Sequence, residues 1–191
     1  MVVTFGLLLA LTLSYIETDI YVLTINSVNM ETTEKSPVLQ KTIEIEKTFH
    51  LPLATVWLAW TDPEAFKKWW GPKTFICTFC RIDLREGGKY LNNMKGNGQE
   101  MFGTGVYREI LPQKKLVMTD SFSDSEGNII PPPKEMTGEW AKELIITVEL
   151  SADGNKTLMK FTHEGIPVEQ HDDCVIGWQQ SFNKLEQNLK T

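Results

Sequence analysis

Between Thr42 and Phe49 the chain reads TIEIEKTF, an apolar–polar alternation that sets Ile43, Ile45 and Phe49 on one face and predicts an opening strand. The period then changes. In LPLATVWLAWTD, Leu53, Val56, Trp57 and Trp60 recur at three- and four-residue steps behind Pro52, which predicts a short helix. A second helix restarts at once: Asp62 is placed to cap a helix opening on Pro63, and Thr61 and Glu64 have capping-box spacing. Gly71 and Pro72 stop it. The stretch WTDPEAFKKWWGP therefore predicts a bent helix pair, with its tryptophans on one side and Lys67 and Lys68 outward.

Short alternating segments follow. TFICTFCRIDL ends at the glycine pair of EGGKY, and KYLNNM runs to the hairpin signal KGNGQ. TGVYREI and KLVMTDSF flank a turn at LPQKK, and KELIITVEL and LMKFTHEG flank SADGNK. The polar, glycine-bearing segment from Asp124 to Trp140 breaks this series and predicts a long loop. Its three consecutive prolines make it a stiff flap, placed to act as a lid. Last, Val175, Trp178, Phe182, Leu185 and Leu189 predict an amphipathic helix of about five to six turns. One strand, two short helices, some six strands and a long helix bury every apolar face as a curved antiparallel sheet closed over the final helix, an α+β arrangement.

The chain's 191 residues suit one domain with a real core. A formal charge of -6 argues against nonspecific nucleic-acid binding, which needs a basic face. Upstream, FGLLLALTL (Phe5 to Leu13) has the length of a signal-peptide core, yet no basic residue precedes Lys35 and no small-x-small site follows closely. Glu17 and Asp19 interrupt the run before it reaches the ~20 apolar residues of a membrane span. Residues 1–37 are accordingly expected to be an extension, apolar then polar, ahead of a single domain over 38–191. A membrane role would require that extension to be an anchor; otherwise the body is expected in the cytoplasm.

Three cysteines make no disulfide framework. Cys77 and Cys80 have C-x-x-C spacing but sit in a β-rich run, where residues three apart face opposite ways, and no second ligand pair accompanies them. We read them as structural and expect no metal and no cofactor. Candidate catalytic groups are sparse: His50, His163 with Glu164, and His171 with Asp172 and Asp173. The two aspartates are explained by the dipole of a first helical turn. No nucleophile elbow, metalloprotease helix or phosphate loop is present, so no catalytic residue is assigned and enzymatic activity is not the leading expectation.

The segments TFHLPLATVWLAWTDPEAFKKWWGP, RIDLREGGKY, GVYREILPQKKLVMT and GWQQSFNKLEQNL closely resemble the activator of heat-shock protein 90 ATPase homologue-like family. That family lies within the START-like, birch-pollen-allergen-like (SRPBCC) superfamily. The resemblance runs from about Thr42 to Leu189 and implies a helix-grip fold, with a cavity between sheet and C-terminal helix that holds apolar molecules in many relatives. Eponymous members bind heat-shock protein 90 through an additional N-terminal domain for which the chain is expected to have no room, so their activity does not carry over whole. Combining the implied cavity with the strand alternation selects Trp70, Tyr90, Met94, Phe102, Met118, Phe122, Phe161, Trp178 and Phe182 as lining, with His163 facing the mouth. Trp57 and Trp60 are expected in the core, and Trp69, Trp70 and Gly71 at the rim. Three readings follow: binding of a hydrophobic small molecule, a co-chaperone-like module acting on heat-shock protein 90, and a cofactor-free cyclase-like enzyme. A perturbed His or carboxylate inside the cavity would favour the third.

Overall fold

The computed structural model describes residues 39–189; the apolar run Phe5 to Leu13 and the extension over 1–37 lie outside them. Strand β1 (Gln40–Phe49) leads into helix α1 (Leu53–Thr61) and helix α2 (Pro63–Lys67). Asp62 ends α1 and caps α2, its Oδ1 accepting from Ala65 N at 2.8 Å, as the sequence predicts. The capping box does not form, because the Thr61 hydroxyl donates back to Trp57 O at 2.8 Å within α1.

Strands β2 (Cys80–Ile82), β3 (Lys89–Gly96), β4 (Gln99–Leu111), β5 (Lys115–Ser123), β6 (Leu144–Asp153) and β7 (Lys156–Pro167) follow, and helix α3 (His171–Asn188) closes the fold. The described strands form one curved antiparallel sheet in the order β1-β7-β6-β5-β4-β3-β2. Its hairpins follow local chemistry: Asn97 and Gly98 both take positive φ between β3 and β4, the type I′ geometry that an Asn-Gly pair favours. The helix-grip fold is thus present.

One expectation changes. Of TFICTFCRIDL, only Cys80–Ile82 forms a strand. Ile76 makes an isolated bridge to Lys95, and the amides of Thr78 and Phe79 are satisfied by Asn93 Oδ1 at 2.8 and 2.9 Å instead of by a neighbouring strand. A side chain has replaced the ladder there, which periodicity does not reveal.

The core sits between sheet, helix pair and α3. Phe182 packs on Phe49, Trp60 and Phe161, while Trp69 is fully buried and donates Nε1–H to Ala59 O at 2.8 Å. Trp69 is therefore a core residue and not part of a rim, whereas Trp57 and Trp60 are buried as expected. Lys67 is tied to Glu64 at 2.7 Å on the outer face. The indole-rich corner is the joint where the helix pair, β7 and α3 meet.

Candidate functional site

Beyond this joint the sheet and α3 diverge and leave a partly enclosed cavity of about 270 Å³. Trp70 closes one side, with its ring stacked on Phe66 and edge-on to Trp178 of α3 at 5.3 Å. Met94 of β3, Phe102 of β4 and Phe122 of β5 continue the wall, and His163 of β7 and Trp178 complete it among the residues expected there. The other four lie elsewhere. Tyr90, Met118, Phe161 and Phe182 are buried in the packed core and do not line the cavity. Alternation puts Tyr90, Met118 and Phe161 on the inner face and helical spacing puts Phe182 on the inner side of α3, but all four are taken up by packing instead of opening into the cavity.

The loop between β5 and β6 contributes Met136 and Trp140 to the wall. Trp140 packs edge-on against Phe122 at 5.3 Å and donates Nε1–H to Thr137 O. Gln170 Nε2 donates to Thr137 Oγ1 at 2.8 Å, fastening the loop to the segment before α3. A second hollow beside Pro131 and Pro133 shares Met101, Phe102 and Phe122 with the first.

A polar cluster interrupts this apolar lining. Asp120 of β5 lies on the wall, and burial pushes its carboxyl up to about 6, against the lowering effect of the Tyr90 hydroxyl at 2.9 Å. Tyr90 also reaches Thr119 O at 2.8 Å, so one phenolic proton serves two acceptors. Burial holds His163 down to about 3, so its imidazole is neutral. Trp178 Nε1 can only donate, and it faces His163 Nδ1 at 3.1 Å; the imidazole proton therefore sits on Nε2. That Nε2 lies 3.6 Å from Asp120 Oδ2, too far for a hydrogen bond, and finds no other partner among the described residues. Asn92 on the same wall keeps Nδ2 unpartnered as well.

Asp120 and Asn92 escaped the sequence reading, yet each falls midway between two nominated residues, Asp120 between Met118 and Phe122 and Asn92 between Tyr90 and Met94. The same alternation puts them on the inner face. His163 lies within β7, paired with Ile43 and Ile146. The remaining histidines lie elsewhere: His50 meets Glu186 at 3.0 Å and His171 meets Asp172 at 2.8 Å. Cys77, Cys80 and Cys174 are free thiols whose pKa burial raises, Cys80 to about 12 and Cys174 to about 11. No cluster of metal-ligating side chains occurs among the described residues, and no helix there is long and apolar enough to cross a membrane.

The family model described as Activator of Hsp90 ATPase homolog 1-like protein matches residues 50–190. No curated protein matches the chain. Among solved structures, a Chromobacterium violaceum protein is 28% identical with a TM-score of 0.63, over 78% of this chain and 97% of that one. An Arthrobacter aurescens protein is 25% identical with a TM-score of 0.65, over 78% and 85%. A Nitrosomonas europaea protein, at 22% identity, TM-score 0.63 and coverage of 78% and 93%, shares the fold.

Proposed function

The chain belongs to the Activator of Hsp90 ATPase homolog 1-like family, and from that premise we propose that it binds an apolar or amphipathic small molecule in the cavity between sheet and α3. The observation that carries this reading is Gly177. Glycine in a helix interior costs about 1 kcal/mol relative to alanine, and here an added Cβ would meet nothing within 4 Å. Neither packing nor backbone conformation calls for glycine at this position, and the space it leaves belongs to the cavity. On the opposite wall, a Cβ at Gly103 would find ordinary contacts at 3.6 and 3.8 Å. The fold forgoes side chains where they would fit. Its volume is nearly twice the ~150 Å³ apolar cavity that accepts benzene, which suits a ligand of one or two rings.

Titration with the uncharged dye phenylnaphthylamine tests the reading. Wild type is expected to bind one equivalent with enhanced dye emission, and Gly177→Leu, which fills the space from the helix side, to lose at least about tenfold in affinity while remaining folded. A wild type that leaves the dye in water, or a folded Leu variant of unchanged affinity, sinks the proposal. The perturbed Asp120 and His163 on the cavity wall favour the cofactor-free enzyme as the second reading, and action on Hsp90, which the family's description names, is the third. A chain not retained by Hsp90, with and without nucleotide, removes it.

A further inference from the structure

Among the described residues, the cavity wall carries acidic groups but no lysine or arginine. Asp120 stands on the wall and Asp173, exposed in the first turn of α3, at its edge. Lys184 reaches the carbonyls of Gly71 and Phe75 at 2.9 and 2.8 Å and Trp70 at 3.4 Å, so its ammonium is already engaged by backbone. Among the described residues, the side chains beside Asp120 are uncharged: the Tyr90 phenol of β3, the neutral His163 imidazole of β7 and the Cys174 thiol of α3. A carboxylate held in apolar surroundings without a counter-ion is costly to the fold.

Two neighbours on the wall are donors, which an ammonium cannot satisfy and which call for an acceptor atom elsewhere on the ligand. His163 is 5% and Asn92 1% exposed, and each keeps an N–H that no group among the described residues accepts. Buried polar groups are ordinarily paired, so this end of the cavity holds hydrogen-bonding capacity that the fold itself does not use. Around it stand the rings of Trp70, Phe122, Trp140 and Trp178, whose faces attract cations.

We propose that the ligand is a small organic amine whose ammonium pairs with Asp120 while its apolar body lies among the aromatic and methionine side chains. This rests on the small-molecule reading above and specifies its chemical class. An ammonium supplies the missing counter-charge and donors for the carboxylate. A carboxylic acid brings a second negative charge beside Asp120, and an alcohol offers only a neutral hydrogen bond.

Isothermal titration with three probes of one skeleton separates these cases: naphthylmethylamine, naphthylmethanol and naphthoic acid, each at neutral pH on the full chain. The amine is expected to bind about tenfold or more tighter than the alcohol, and the acid weakest. Lowering the pH to about 5 protonates Asp120 and should reduce the amine's advantage. In Asp120→Asn that advantage should disappear. If alcohol and amine bind equally, or the acid binds tightest, the amine inference is overturned and the small-molecule reading survives. If none of the three binds, both fall. The wild-type ranking decides the question even if the variant fails to fold.

Discussion

Asp120 titrates far from the range of a surface carboxylate because burial lifts it from 3.8 to about 6. Its folded-state pKa lies above its unfolded one, so the folded chain holds this proton more tightly. The stability it contributes is full below 3.8 and is lost as pH rises through about 6. The gap corresponds to at most about 3 kcal/mol. With 21% of the side chain still exposed, about 1–2 kcal/mol is the expected size. Asp120→Asn keeps an acceptor for the Tyr90 hydroxyl and removes the charge. It should therefore melt higher than wild type above about pH 6, with the difference closing toward about pH 4. His163 works in the opposite sense: held down from 6.5 to about 3, it contributes stability that is lost as pH falls through that window. Both proteins retain it, so their difference isolates Asp120. Paired thermal melts across the window check this, and a difference that does not vary with pH would assign it to something other than the charge.

At the scale of elements, α3 combines a weak position with a strong one. Gly177→Ala should stabilise the fold by about 0.5–1 kcal/mol, because the added methyl enters open space; a denaturation midpoint that moves down would mean that the cavity is already filled there. Lys184 acts as a clamp between α3 and the turn after α2 through three carbonyls. Lys184→Met leaves those carbonyls without a charged donor and should cost about 1.5–3 kcal/mol in urea unfolding, whereas a loss below a few tenths would reduce the clamp to a surface contact. The elements themselves were largely legible. Alternation marked β1 and β4 to β7, Asn97-Gly98 marked the hairpin, and Asp62 marked the start of α2, since each is written in neighbouring residues. The segment before β2 was not legible, because its amides answer to Asn93, which lies 14 or 15 positions away.

For the molecule as a whole, sequence alternation tells which face of the sheet a residue occupies but not how deep it sits along the strand. On the strands, Met94, Phe102, Phe122 and His163 line the cavity whereas Tyr90, Met118 and Phe161, with the same alternation, fill the core; on α3, Trp178 and Phe182 divide in the same way. Depth depends on where α3 departs from the sheet, a long-range property that no local pattern encodes. The lid expectation for Asp124 to Trp140 raises the same issue, since the loop reaches the cavity only through Met136 and Trp140. Among its contacts are the Phe122–Trp140 ring pair and the Gln170–Thr137 hydrogen bond near the cavity, and the Ile130 amide on Phe122 O at 3.0 Å and the Ser123–Ile129 bridge beside β5. Loop segments of this kind open locally at lower free-energy cost than the sheet. If the loop gates the cavity, Trp140→Ala should speed release of bound phenylnaphthylamine several-fold in stopped flow. It should leave the melting temperature nearly unchanged, because Trp140 is only half-buried. Thr137→Val, which removes the acceptor for Gln170 but keeps the indole, should accelerate release less. Equal release from wild type and Trp140→Ala would show that the ligand leaves by another route, and the loop would then be only one wall of the cavity.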